Sequence, residues 1–194
     1  MSHSALSVLI PAAGASNRLG QPKQLLEHKG KPLIQNAVNL AQSLSPREII
    51  VVTGAAATQV EAALEQLPVR CIHNPDWSTG MGGSIALGAG AVSPDSSGLL
   101  ILLCDQWRIQ SADLLKLADT WQASPGHIVC AQAEGHLMPP VIFPPVFFDE
   151  LRQLREDRGA RKLLKKNPDQ LYSIQMDNAY SDLDTPAQLQ DLEQ

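Results

Sequence analysis

Ala5-Leu6-Ser7-Val8-Leu9-Ile10 runs directly into Pro11-Ala12-Ala13-Gly14-Ala15-Ser16-Asn17-Arg18-Leu19-Gly20-Gln21-Pro22-Lys23, and this junction decides how the chain reads. The first stretch is an apolar run that predicts a buried strand, Ala5 to Ile10. A loop of small residues leaves its end. Such a loop lets backbone N–H groups approach a ligand closely, and Gly14 and Gly20 are expected to supply torsions closed to other residues. Arg18 and Lys23 set two fixed positive charges beside those donors. Together they describe a cradle for a polyphosphate, with Ala12, Ala13, Gly14 and Ser16 as its backbone. It is not a Walker loop, because no Gly-Lys-Ser/Thr closes it. It also lacks the G-x-G-x-x-G spacing of the dinucleotide fingerprint.

Beyond the loop, β-branched runs alternate with helical patterns. Ala5–Ile10, Glu48–Thr53, Val69–His73, Leu99–Cys104 and Ile128–Ala131 read as strands, and residues 33–44, 58–67, 84–92 and 112–121 carry apolar residues at helical spacing. Pro32 suits the first turn of the helix it precedes. This alternation predicts an α/β fold, a Rossmann-like three-layer sandwich with a mostly parallel central sheet. Such sheets bind ligands outside the C-terminal ends of their strands. The last third departs from the pattern. Met138-Pro139-Pro140-Val141-Ile142-Phe143-Pro144-Pro145 is proline-dense, so any strand there is expected to be short or at an edge. Two helical stretches, residues 146–154 and 160–166, and a strand, residues 170–176, follow. We read residues 1–194 as a single domain, with a nucleotide-binding part over 1–133 and an acceptor-side part over 134–194.

A length of 194 residues with 44% hydrophobic content suffices for one well-packed domain. A net charge of −5 and a pI near 5.5 argue against nucleic-acid binding, which needs a basic stripe. The Lys and Arg residues between Arg152 and Lys166 are interrupted by acids and read as a solvated helix face. No apolar stretch is long enough to span a bilayer, and the N-terminus lacks the pattern of a signal peptide. A cytoplasmic protein without membrane contact is the expectation. Cys71, Cys104 and Cys130 sit in apolar runs without ligand spacing and read as reduced core residues.

Asp105 follows a strand that is apolar on both faces, where a carboxylate needs a cation. Mg²⁺ is the natural candidate, a hard ion held by one or two carboxylates while phosphates and waters complete its shell. The alternative is an Asp that caps its own turn. With the loop on the same sheet edge, the metal role is preferred. Asp182 and Asp184 precede Thr185 and Gln188, which form a capping box, so Asp184 could simply favour the helix dipole. Ser78-Thr79-Gly80-Met81-Gly82-Gly83-Ser84 is a second glycine-rich turn, suited to an anion or a base edge at a helix start; equally, Ser84 could cap a helix that needs small residues for packing. His73 and His127 flank strands and read as satisfied core or edge histidines. No Ser/His/Asp set suggests a covalent nucleophile.

The loop, with Leu103-Cys104-Asp105-Gln106, Asp157-Arg158-Gly159-Ala160-Arg161 and Asp182-Leu183-Asp184-Thr185-Pro186, resembles the molybdenum-cofactor branch of the nucleotidyltransferases, in family order over nearly the whole chain. That branch includes molybdopterin cytidylyltransferases and molybdopterin-guanine dinucleotide synthases. The resemblance implies the nucleotide-diphospho-sugar transferase-like fold and Mg²⁺-dependent transfer of a nucleoside monophosphate to a phosphorylated acceptor. It implies Arg18 and Lys23 as catalytic cations, and Asp105 with Asp182, or second Asp184, as metal ligands. It further implies Gly82, Gly83 and Ser84 as base or ribose contacts, and His136 and Arg158 on the acceptor. The partners it implies are CTP first and GTP second, a molybdopterin-type acceptor before a sugar phosphate, and a molybdoenzyme or a second copy of the chain. His136 stands where relatives often carry arginine, and Trp107 where many carry proline. A rival expectation is a cofactor-delivery protein that binds without releasing pyrophosphate.

Overall fold

A computed structural model describes residues 5–155, 160–180, 183 and 192. Its strands are β1 (Leu6–Pro11), β2 (Glu27–His28), β3 (Lys31–Pro32), β4 (Glu48–Thr53), β5 (Arg70–His73), β6 (Gly98–Ile101), β7 (Ile128–Ala133), β8 (His136–Phe143) and β9 (Leu171–Gln175). Its α-helices are α1 (Leu33–Gln42), α2 (Ala57–Leu64), α3 (Met81–Gly90), α4 (Ser111–Ala123), α5 (Phe148–Arg152) and α6 (Arg161–Lys166). Seven strands form one sheet in the order β5-β4-β1-β6-β8-β7-β9, and β2 and β3 form a separate small hairpin. The β1–β4, β1–β6, β4–β5 and β7–β9 pairs are parallel, whereas β8 runs antiparallel to both neighbours.

Strand alternation builds both cores. Leu6, Val8 and Ile10 of β1 face one side with Ile49, Val51 and Leu100, where α1, α2 and α4 supply Ile34, Val38, Val60, Leu117 and Trp121. Leu9, Ile50, Val52, Leu99 and Ile101 face the other, covered by Ile85 and Ala89 of α3, Leu151 of α5 and Leu164 of α6. The expected three-layer sandwich is present. Helix α3 lies so close to β1 that a Cβ on Gly88 would come within 2.3 Å of a Leu9 methyl.

Three expectations about the bounds and places of these elements need correction. First, the proline-dense segment is a long strand inside the sheet, not a short or edge one. Its partners pass from Cys130↔Val141 to Ala131↔Met138, so Pro139 and Pro140 fall in a bulge where no ladder N–H is required. Second, β6 ends at Ile101 rather than Cys104, although the Leu102 N–H still reaches the Leu9 carbonyl at 3.0 Å. Third, α3 starts at Met81, so Ser84 is not its cap. A tight turn at Glu134 and Gly135, with φ of 48° and 75°, joins β7 to β8. Both positions are left-handed, as a two-residue hairpin whose twist matches its strands requires. Cys104 and Cys130 are buried, Cys71 is partly so, and all three are free. His127 departs from the expectation of a satisfied ring: its Nδ1 is buried with no partner among the described residues, and the ring packs on Tyr172 with centroids 4.8 Å apart. No helix among the described residues is long and apolar enough to cross a membrane.

Candidate active site

The chain leaves β1 in one direction towards β4 and returns to β6 on the other flank. This is the switch point at which such sheets form a crevice. A cavity of about 440 Å³ opens there, bordered by Ala13, Gly14, Ser16, Arg18 and Lys23 from the first loop and by Trp77, Gly80, Met81 and Ser84 from the second.

The first loop is held from beneath. The Ala12 N–H donates to the Val52 carbonyl at 2.8 Å, and the Ala13 carbonyl accepts from the Ala55 N–H at 3.0 Å. Buried Gln24 donates its amide to the Ala12 carbonyl at 2.9 Å and to the Gly14 carbonyl at 2.8 Å. Three successive carbonyls are thus engaged on the protein side, away from an arriving anion. Torsions differ from the expectation at one position. Gly20 is left-handed at φ 70°, but the other left-handed residue of the loop is Ser16, at φ 54°, and not Gly14. Ser16 is held there by two contacts: its Oγ accepts the Lys23 N–H at 3.1 Å, and its carbonyl accepts the Leu19 N–H at 2.9 Å. Gly14 is exposed, and nothing lies within 4 Å of where its Cβ would be. Its lack of a side chain leaves open room on the cavity wall.

Asp105, only 6% exposed, ion-pairs through Oδ2 with Lys23 Nζ. A carboxylate that far from water needs such a partner, and the pair joins the loop after β1 to the loop after β6. The capping alternative is therefore not the contact Asp105 makes. Its neighbour Cys104 is pushed up to about 12 by burial first and the Asp105 charge second, and burial does the same to Cys130. Neither thiol is a nucleophile at neutral pH.

Among the described residues no group of three or more His, Cys, Asp or Glu is arranged to hold a metal. The donor chemistry of Asp105 nevertheless fits Mg²⁺, which takes one or two carboxylates and fills its shell with phosphates and water. Asp182 and Asp184 lie outside the described residues, as do Arg158 and the Thr185–Gln188 capping box. Ala12, Gly82 and Gly83 are not on the cavity wall; Ala12 lies beneath it.

A second cavity, of about 490 Å³, adjoins the first through Met81. His136 and Arg161 border it, with Met138, Pro139 and Tyr180 making much of its wall apolar. Gln106, 4% exposed, donates to the Pro139 carbonyl at 2.7 Å and the Ala179 carbonyl at 2.8 Å. It ties the loop after β6 to the β8 bulge. Trp107 points elsewhere, packing edge-on against His28 at 4.9 Å with the Arg108 guanidinium 4.7 Å over its ring.

Sequence reasoning missed Gln24, Gly54 and Asn74, a buried amide after β5 that donates to Ser84 Oγ at 3.0 Å. A buried amide in an apolar turn was the available signal for Gln24. Gly54 follows β4, and a Cβ there would sit 2.5 Å from the Ala13 carbonyl oxygen and 2.6 Å from Trp77 Cβ. Neither atom is the far end of a flexible chain. Gly54→Ala is therefore expected to displace the loop, costing about 1–3 kcal/mol as overpacking does and weakening nucleotide binding. Denaturant unfolding shows the first effect as a lower midpoint at unchanged slope. Parental stability together with parental nucleotide affinity would contradict it.

The profile of a MobA-like NTP transferase domain matches residues 8–171. The chain is 32% identical over 166 residues to a nicotine blue oxidoreductase from Paenarthrobacter nicotinovorans, covering 81% of this chain and 80% of that protein. It is 30% identical over 191 residues to a probable molybdenum cofactor guanylyltransferase from Rhodopirellula baltica, covering 95% and 89%. The crystal structure of Rv0371c from Mycobacterium tuberculosis H37Rv superposes with a TM-score of 0.87 at 26% identity, covering 99% of this chain and 98% of that one. A complex of the same mycobacterial protein with manganese superposes at 0.81 and 24% identity, covering 96% and 97%.

Proposed function

The chain belongs to the MobA-like NTP transferase family and is a nucleotidyltransferase, and from that premise we propose that it moves CMP from CTP to the phosphate of a molybdopterin-type acceptor, releasing pyrophosphate. The observation that carries this reading is the Lys23–Asp105 pair beside a loop of small residues whose carbonyls are turned away from the cavity.

In the reaction, an acceptor phosphate oxygen forms a bond to the α-phosphorus while the bond from that phosphorus to the bridging oxygen breaks. The departing pyrophosphate takes the electron pair. Little covalent work falls to the protein, which positions the groups and neutralises charge. Backbone donors of residues 13–16 hold the triphosphate. Arg18 and Lys23 oppose charge building on the attacked phosphoryl and on the leaving group. Asp105, with Asp182 as the second carboxylate, would hold Mg²⁺; when bound, the ion supplies further neutralisation across the phosphates. That a mycobacterial relative forms a complex with manganese supports a need for a divalent ion. His136 and Arg161, which border the second cavity, serve the acceptor together with Arg158. GTP is the second choice of base, favoured by the relative named as a probable guanylyltransferase.

A thermal-shift panel with ATP, CTP, GTP and UTP, each with and without Mg²⁺, tests the reading. A ligand at about 100 times its Kd adds nearly 3 kcal/mol, several degrees for a chain of this size. One nucleotide is expected to give a Mg²⁺-dependent shift and then to release pyrophosphate when molybdopterin is added. Binding without pyrophosphate release would point to a delivery protein instead. No shift with any of the four would overturn the nucleotide site.

A further inference from the structure

We propose that Gln106 is a positioning residue for the acceptor: its amide fastens the loop that carries Asp105 to two walls of the second cavity, and so sets the line along which an acceptor phosphate meets the α-phosphorus. This rests on the nucleotidyltransferase reading of the site and deepens it.

Pairing between β6 and β8 ends at Ile101↔Val141, short of the β8 bulge. Beyond that point the sheet no longer grips the chain leading from β6 to Asp105, and the Gln106 side chain takes over the attachment. Its amide has one orientation. The Pro139 and Ala179 oxygens are carbonyls, which only accept. The amino group must therefore face them, and it donates to the first at 2.7 Å and to the second at 2.8 Å. Pro139 belongs to the β8 bulge, and Ala179 closes the short 3₁₀ turn Asp177–Ala179 that follows β9. That turn is fixed in its own right. The Ala179 N–H donates to the Met176 carbonyl at 3.0 Å, and the Met176 N–H to the Gln132 carbonyl of β7 at 2.9 Å. One side chain thus joins the Asp105 loop to two segments with which it shares no strand pairing.

Pro139, Gln106 and Tyr180, the residue after Ala179, all border the second cavity. The two bonds from Gln106 therefore fix where these walls stand relative to Asp105. The amide oxygen, by contrast, is buried without a partner. An unpaired buried acceptor costs stability, so what this side chain contributes lies in its two donor bonds. Asp105 is held from the opposite side by Lys23. The nucleotide half of the site has an anchor of its own, and the acceptor half is referred to it through Gln106. Transfer needs the attacking oxygen in line with the breaking bond, and a misplacement of about 1 Å can cost about 10²-fold in rate.

The test compares the parent enzyme with Gln106→Met, which keeps the length and loses both donors, and with Gln106→Asn, whose amide is one methylene shorter. Calorimetry gives the Mg²⁺-dependent affinity for the nucleotide that the thermal-shift panel selects. Pyrophosphate release gives the KM for molybdopterin and the single-turnover rate, all read below each variant's melting transition. Both variants leave two carbonyls unpaired and are expected to melt below the parent; should one fail to fold, the other carries the comparison. The single-turnover rate is expected to fall about 10- to 100-fold. Nucleotide affinity and the KM for molybdopterin should each stay within about threefold of the parent. A lowered melting temperature with a parental rate overturns the proposal and leaves Gln106 a purely structural tie. A loss that falls wholly on the KM overturns it too, as does a nucleotide affinity that drops as far as the rate, which would place the effect on the Asp105 loop itself. A parent enzyme that binds nucleotide but releases no pyrophosphate with molybdopterin overturns the transferase reading, and this inference with it, whatever the variants do.

Discussion

A Lys23→Ala enzyme is expected to turn over about 10²–10³-fold more slowly than its parent, the usual loss when one electrostatic partner of the transition state is removed. Two separate effects contribute, and a second substitution separates them. Lys23 opposes charge on the phosphoryl and pyrophosphate groups. It also balances Asp105, a carboxylate 6% exposed to water. Truncating the lysine leaves that charge uncompensated, a cost of about 1–3 kcal/mol after allowing for the partial exposure of the lysine. In a chain this size that lowers Tm by about 2–12 °C. Adding Asp105→Asn to Lys23→Ala removes the orphaned charge, so Tm should recover; kcat is read in Lys23→Ala alone, because Asp105 itself serves the metal. A Lys23→Ala enzyme with near-parental kcat would remove Lys23 from the chemistry. A Tm that stays low in the double variant would show that the lysine stabilises the fold through something other than this pair.

Asp105→Asn by itself should abolish Mg²⁺-dependent nucleotide binding. The substitution keeps the shape of the side chain but removes the charge that a hard cation requires. The readout is the difference between NTP-induced stabilisation in Mg²⁺ and in a chelator. The parent is expected to show nearly 3 kcal/mol more with the ion, at about 100 times Kd. The variant is expected to show the same small shift in both. An undiminished Mg²⁺ effect would contradict the assignment of Asp105 as a ligand.

The fold was legible wherever local pattern and burial coincide. Strand β1 reads as apolar because both of its faces are buried, and the loop after it reads as a ligand cradle because small residues and cations have few other uses there. Strand β8 was not legible as an interior strand. Its prolines argue against a central position unless the bulge opposite Cys130 and Ala131 is known, and that bulge is a property of the pairing, not of the segment. The start of α3 was misplaced because glycines read as loop, yet Gly82 and Gly83 lie in the helix. Within the site, Lys23 and Asp105 stood out as charges next to apolar strands. Gln24 and Asn74 did not, since an amide announces itself only through the carbonyl or hydroxyl it meets across the fold.

Strand β8 is gripped unequally along its length. Val141, Ile142 and Phe143 are paired with β6 on one side, and Val141 and Ile142 also with β7 on the other. His136, Leu137 and Met138 are paired with β7 alone and border the second cavity. Register is therefore set by the far half of the strand, and the near half is released from that duty. Substitutions at positions 136–138 can accumulate along a lineage without threatening the sheet or the loop that follows β1. One scaffold can in this way diversify at its second cavity while its first stays constant.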